Sequence, residues 1–464
     1  MNDSGLPGSR RGFMKLAGAG AGAIALASVA PAALATVVNA AEVPLPSFRP
    51  TPFRVGKWLP SDQVALDRWL ADLIHRVDST RAKQPLHPTV EDLRVLIESD
   101  ARVYMWFSAM FSQVPQTPGF SRTPIGTPQV RDYPQMLRLV NAILTTAPEY
   151  NETGLVGFPI NAILNWSMAT EAGYAAFLDP AVNAAFKNIL NAWGDFLTTP
   201  ESRYVLSRDP RRGWFGADAR KAMPNFDTSF ICDPSAPFHG FTSWDDFFTR
   251  KFRSGQRPIG APNDPSVIIN ACESAPYRLA KNLKRVERFW IKGQPYSLRH
   301  IFTDDPVNEQ FVGGTLYQAF LSALSYHRWH MPVDGTIKSV RNVDGTYYSE
   351  APVMGWDPAA PNESQGYITE LAARAVVTIE ADDPRIGLMA FVAVGMAEVS
   401  SCEVTAKVGQ HLSKGEDLGM FHFGGSTHCL IFRPGVRLDF NLRGQQPGLN
   451  STNIPVNAAL AQVK

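Results

Sequence analysis

A serine that follows two glycines can react with its own backbone. In Gly424-Gly425-Ser426-Thr427 the carbonyl carbon of Gly425 is open to approach, and glycine tolerates the strained backbone an attack requires. Attack by Ser426 Oγ moves the acyl group from nitrogen to oxygen and gives an ester. Elimination and hydrolysis then leave a pyruvoyl group on a new N-terminus at residue 426. A serine needs a base to become a nucleophile, and His327 and His330 stand three residues apart in Tyr326-His327-Arg328-Trp329-His330-Met331-Pro332-Val333-Asp334-Gly335. Two histidines at that spacing also suit a metal, but no carboxylate or cysteine stands at obvious ligand spacing, so no metal site is expected. His422 and His428 flank the serine, and packing or solvent exposure is the first expectation for each, with substrate contact as the alternative. The plain alternative for Gly-Gly-Ser-Thr is a turn between strands. A hydrolase nucleophile elbow is excluded, since glycine would be needed where His428 stands.

The elements that position these residues fall into two halves. Residues 42–60 contain five prolines and read as an extended arm. Helical periodicity then dominates to about residue 200. Ser61 is placed to cap a helix with an apolar face of Leu66, Trp69, Leu70, Leu73, Ile74 and Val77. Thr89 and Asp92 resemble a capping box opening a helix through Val95, Leu96, Val103 and Phe107. Asp179-Pro180 opens another, carrying Val182, Phe186, Ile189, Leu190, Trp193 and Leu197. Residues 201–241 are rich in loop formers. Beyond about 260 the signals are short strands at Val267–Ile269, Ala375–Ile379, Leu388–Val394, Cys429–Phe432 and Val436–Leu442. The expected class is α+β, with a helical domain over 61–240 and a mostly antiparallel β domain over 241–464.

The 464 residues carry a formal net charge of +1 and 45% hydrophobic residues, so nothing points to nucleic acid as a partner. No Walker loop or Gly-x-Gly-x-x-Gly after a strand supports nucleotide binding. The N-terminus reads as an address: Ser9-Arg10-Arg11-Gly12-Phe13-Met14-Lys15 precedes a weakly apolar Ala/Gly stretch to Ala41, the pattern of a twin-arginine export signal. Cleavage is expected before Ala41 or earlier, at Ala33/Ala35, giving a periplasmic or secreted protein. Past Ala41 no run of 18 apolar residues occurs, so no membrane span is expected in the mature chain. Of the four cysteines, Cys232, Cys272, Cys402 and Cys429, none forms a C-x-x-C pair, which argues against a thiolate zinc site. Export would permit disulfides.

Three segments together resemble the phosphatidylserine decarboxylase family. Ser243-Trp-Asp-Asp-Phe-Phe-Thr-Arg-Lys-Phe-Arg-Ser-Gly-Gln-Arg-Pro-Ile259 is similar to its F-F-x-R and G-x-R-P-I segment. Tyr326–Gly335 resembles its Y-H-x-x-H-x-P-x-x-G, and Lys414-Gly415-Glu416-Asp417-Leu418-Gly419-Met420-Phe421-His422-Phe423-Gly424-Gly425-Ser426-Thr427 its processing site. The likeness covers residues 241–445, and three motifs in order are far more specific than one. The helical half resembles the extension of a branch that includes fungal tryptophan decarboxylases. This implies self-cleavage between Gly425 and Ser426, a pyruvoyl cofactor made from Ser426, and a catalytic fold related to lipoyl-type barrel sandwiches. It further implies His330 as the base for cleavage and His327 as proton carrier during decarboxylation. The family's aspartate has no match: Glu273 stands at its place in Asn270-Ala271-Cys272-Glu273-Ser274, one methylene longer, and is expected to orient an imidazole.

Pyruvoyl chemistry suits a substrate bearing an amine beside a carboxylate. Two substrates follow from the resemblance: a free, aromatic L-amino acid, or phosphatidylserine. The first is favoured by the absence of a basic amphipathic or apolar anchoring segment. The remaining reading is a non-catalytic exported binding protein that kept the fold. Oligomeric state is not legible.

Overall fold

The computed structural model describes residues 53–55, 59–61, 63–79, 84–114, 130–151, 158–287, 296–322, 324–351, 364–398, 400–423 and 426–464. The export signal and most of the arm lie outside them, as do Gly424 and Gly425. The arm contributes two short strands, β1 (Phe53–Val55) and β2 (Leu59–Ser61), paired antiparallel.

Seven helices follow: α1 (Gln63–Ser79), α2 (Pro88–Ser99), α3 (Ala101–Ser112), α4 (Tyr133–Ile143), α5 (Pro159–Met168), α6 (Glu171–Leu178) and α7 (Pro180–Leu197). In α7 the expected stripe is buried throughout, and Asp179 caps it by accepting from the N–H groups of Ala181 and Val182 at 2.9 and 3.2 Å. Two expected starts move. Ser61 belongs to β2, paired with Phe53, and α1 begins two residues later. His87, not Thr89, caps α2: its Nδ1 accepts from Thr89 N, and Pro88 occupies the first turn, where a missing N–H costs nothing. The helix expected to run from Val95 to Phe107 breaks at Asp100, which ends α2 and caps α3 through the N–H groups of Arg102 and Val103.

The helical core continues past residue 240. After α8 (Ala217–Ala222) and α9 (Phe226–Ser229), it takes in α10 (Trp244–Phe248), and it also claims Tyr326, Tyr347, Tyr348, Ala397 and Phe423.

The second half is antiparallel. Its strands are β3 (Val267–Ile269), β4 (Ala275–Lys281), β5 (Thr315–Leu321), β6 (Arg328–His330), β7 (Gly335–Val343), β8 (Arg374–Ala381), β9 (Leu388–Val394), β10 (Cys402–Val404), β11 (His411–Leu412), β12 (Asp417–Phe421), β13 (Ser426–Phe432), β14 (Leu438–Phe440) and β15 (Ala459–Val463). A seven-stranded sheet runs β11-β7-β8-β9-β13-β5-β4, flanked by three-stranded sheets β10-β12-β6 and β14-β15-β3. Alternate residues of the large sheet serve two cores. Tyr317, Ala319, Phe391, Ala393, Leu430 and Phe432 enter one. Leu316, Phe320, Val392, Val394, Cys429 and Ile431 enter the other, together with residues of α11 (Leu298–Ile301) and α12 (Gln365–Leu371). Burial on both faces explains why β9 reads Leu-Met-Ala-Phe-Val-Ala-Val without alternation. All four cysteines are free thiols.

Candidate active site

Ser426 is the first residue of β13, a strand held on both sides: Ser426 pairs with Leu321 of β5, and Thr427 pairs with Phe320 of β5 and Val394 of β9. The next residue is fixed by its side chain as well. Thr427 Oγ1 donates to Ala319 O and accepts from Gln318 Nε2, both at 3.0 Å. Gln318 is itself held by Thr369 Oγ1, the carbonyl of Gln365 and the hydroxyl of Tyr296, all buried. Position 426 is therefore tied to rigid sheet, as a reacting residue requires.

His330 lies on β6, opposite Asp417 of β12. Its Nδ1 is 2.7 Å from the carbonyl oxygen of Gly415, which can only accept, so Nδ1 carries the proton. Nε2 then accepts from the Tyr326 hydroxyl at 2.9 Å. Burial lowers the imidazole pKa, against the opposing effects of Gly415 O and of Asp417. His330 is thus a neutral ring with one basic nitrogen and a fixed tautomer, the form a base needs.

The Lys-Gly-Glu motif explains that tautomer. Lys414 is buried, its Nζ donating to the carbonyls of Ala261 and Asp264 at 3.1 and 2.7 Å, and its N–H to Asp334 at 2.8 Å. Gly415 adopts φ +87°, where a Cβ would lie 2.6 Å from Ile259 Cδ1. Only glycine turns this carbonyl toward His330.

His327 is fully buried, stacked on Phe248 at a 4.0 Å centroid distance. Phe248 belongs to α10, and this one helical turn reaches three parts of the site. Trp244 packs edge-on against Phe423, 4.6 Å between centroids, with Trp193 and Phe158 completing the cage. Asp245 accepts from His422 Nδ1 at 3.0 and 3.1 Å, while Glu403 accepts from His422 Nε2 at 2.8 Å. Burial opposes charge on His422, but the two carboxylates prevail and raise its pKa to about 9. It is a partly exposed imidazolium, three residues before Gly425 in sequence. His428, by contrast, is buried between Tyr317 and Phe391, and burial lowers its pKa to about 3. It packs.

Glu273 is placed elsewhere than its expected role requires. Arg257 grips both of its oxygens at 2.7 and 2.9 Å, and the N–H of Val456 donates to it at 2.9 Å. No hydrogen bond joins it to His330, whose orienting partner is a main-chain carbonyl. Sequence reasoning did not find Gly415 O, because a carbonyl leaves no residue signature. Tyr326 and Asp245 lay inside quoted motifs and were open to notice as conspicuous polar groups. Arg250 of the same segment is buried under Phe230, Phe247 and Phe226, and its guanidinium bonds the carbonyls of Phe247, Leu324 and Ser325. It braces the turn that leads to Tyr326.

A chain that carries a strand-anchored serine after glycine and a buried histidine of fixed tautomer has clear relatives. The pattern described as phosphatidylserine decarboxylase matches residues 244–453, and a second of the same description matches 87–223. The L-tryptophan decarboxylase of Psilocybe cubensis is 36% identical over 443 residues, covering 90% of this chain and 97% of that protein. Decarboxylase iboD of Amanita muscaria is 43% identical over 325 residues, 66% of this chain and 91% of its own length. Phosphatidylserine decarboxylase proenzyme 3 of Schizosaccharomyces pombe is 29% identical over 200 residues, 43% of this chain and 20% of that one. The class defined by these matches is a carboxy-lyase, a decarboxylase. The chain belongs to the phosphatidylserine decarboxylase family.

Proposed function

We propose that the chain cuts itself between Gly425 and Ser426, carries a pyruvoyl group at residue 426, and decarboxylates a free aromatic L-amino acid, L-tryptophan first, to CO2 and the amine. The observation that carries the substrate is the extent of the likeness to L-tryptophan decarboxylase. It takes in the helical half and 97% of that protein's length, whereas the likeness to the fission-yeast phosphatidylserine decarboxylase covers 20% of that protein. Among the described residues no helix is long and apolar enough to cross a membrane.

Self-cleavage balances without another reactant until its last step. Ser426 Oγ bonds to the Gly425 carbonyl carbon as the C–N bond breaks, and His330 Nε2 takes the hydroxyl proton. Loss of the Ser426 Cα proton then expels the Gly425 carboxylate, and water releases ammonia from residue 426. The residues present suit the group so formed: position 426 is on rigid sheet, and Thr427 beside it is fully bonded. A pyruvoyl group supplies a carbonyl that captures the substrate amine and accepts the electron pair left by CO2. His327, buried against Phe248, is the proposed proton carrier in turnover. Glu273 acts at one remove, through Arg257 and the main chain at Val456.

Intact-mass measurement should show one chain ending at Gly425 and one of residues 426–464 beginning with pyruvoyl. Offered L-tryptophan and phosphatidylserine, with and without detergent, the cleaved enzyme should yield mainly tryptamine. Phosphatidylethanolamine as the dominant product would overturn the substrate but not the chemistry. The proposed location is outside the cytoplasm, by twin-arginine export of the folded chain. It is supported by Ser9–Lys15, and changing Arg10 and Arg11 to Lys should retain the protein in the cytoplasm. Unaltered export would end that reading.

A further inference from the structure

Glu398 has no part in the chemistry above, yet it is buried beside it. Strand β9 ends at Val394, paired with Thr427, so the register places Gly395 opposite Ser426. Three residues further, at most about 10 Å of chain, stands Glu398, 5% exposed. Its Oε1 accepts from Asn161 N at 2.7 Å, in the first turn of the ten-residue α5. Its Oε2 is buried and, among the described residues, takes no hydrogen bond, nor do the side-chain amide of Asn161 and the hydroxyl of Tyr348. Tyr348 is close enough for the Glu398 charge to raise its pKa, after the larger effect of burial. The ring of Phe158, the residue that precedes this helix, lies 6.1 Å from that of Phe423 between centroids, so the same corner borders the chain entering the cleavage site.

An acceptor held rigid by one oxygen and bare at the other is costly unless something donates to it. We propose that Glu398 is a specificity-determining residue: its Oε2 accepts a hydrogen bond from the ring N–H of an aromatic amino acid bound at residue 426. This rests on the amino-acid reading above and adds the group that tells an indole from a plain phenyl ring. Burial raises the Glu398 carboxyl to about 7, against the lowering effect of the Asn161 and Ile160 N–H groups.

The test compares L-tryptophan, 1-methyl-L-tryptophan and L-phenylalanine in the cleaved wild-type enzyme and in Glu398→Gln. Glutamine keeps a carbonyl for Asn161 N but turns an N–H2 toward the ring, replacing acceptor with donor. Wild type should prefer L-tryptophan to its 1-methyl analogue by about 10- to 100-fold in kcat/KM. In Glu398→Gln that preference should collapse to within about threefold, through loss on L-tryptophan while phenylalanine changes little. The wild-type comparison of the two indoles does not depend on how the variant folds. Parallel loss on all three substrates, or an undiminished preference in the variant, would overturn the role of Glu398 while leaving amino-acid decarboxylation in place. A wild-type enzyme inactive on every free amino acid would instead overturn the substrate reading itself.

Discussion

Two buried polar regions meet the start of β13, and they are finished to different degrees. Gln318 itself has both ends of its amide bonded: Thr427, Thr369, Tyr296 and the Gln365 carbonyl close a network against the sheet. Around Glu398 an oxygen, an amide and a hydroxyl have no partner among the described residues. Closed networks rigidify, whereas open ones destabilise unless a ligand completes them. The difference separates what holds residue 426 still from what faces a visitor.

The comparison can be broken most completely at its shared point. Ser426→Ala should leave the chain uncut, a total loss of processing visible by mass, since Oγ is the attacking atom. His330→Ala should slow cleavage by at least about 100-fold, removing the basic nitrogen. Normal cleavage in that variant would strike His330 from the mechanism. Gln318→Leu opens the closed network and should cost about 1–3 kcal/mol in denaturant unfolding of the uncut chain, by stranding the buried Tyr296 hydroxyl. An unchanged midpoint would show that the network is not holding the strand.

The His422 clamp should have a smaller effect, read in pH. Its folded pKa, about 9, lies above the ordinary 6.5, so its contribution is complete below about pH 6.5 and is lost as pH rises through about 9. With His422 and Glu403 partly solvated, about 1–2 kcal/mol is expected after allowing for screening. His422→Gln should flatten that part of the stability profile. Least affected should be the stability of Glu398→Gln, within about 1 kcal/mol of wild type, because the bond to Asn161 N survives. A large loss there would make Glu398 structural, like Gln318.

Much of this was legible from sequence where local signals agree with the tertiary answer. Asp179-Pro180 and the stripe of α7 agree on cap, start and buried face, and the five expected strand segments all contain strand. The break at Asp100 was not legible, because one aspartate serves two helices and the apolar period runs through it. At the site, histidines and serine were named from motifs, but their partners were main-chain or remote. His330 takes its orientation from Gly415 O, 85 residues on, and Glu398 meets α5 across 237 residues. Sequence reads residue types well and long-range main-chain bonds hardly at all.

The anchoring of Phe423 has a consequence for the finished enzyme. Its ring sits among Trp193, Trp244 and Phe158, while β13 is woven between β9 and β5 and β15 lies between β14 and β3. The proposed cut after Gly425 would leave Phe423 moored in the helical core and residue 426 in the sheet. The fragments stay together, but they share no covalent memory. Once heat separates them, reassembly is a second-order encounter between two partial folds. The uncut Ser426→Ala chain should refold independently of concentration, while the mature enzyme should recover less on dilution: the proposed processing would make unfolding one-way.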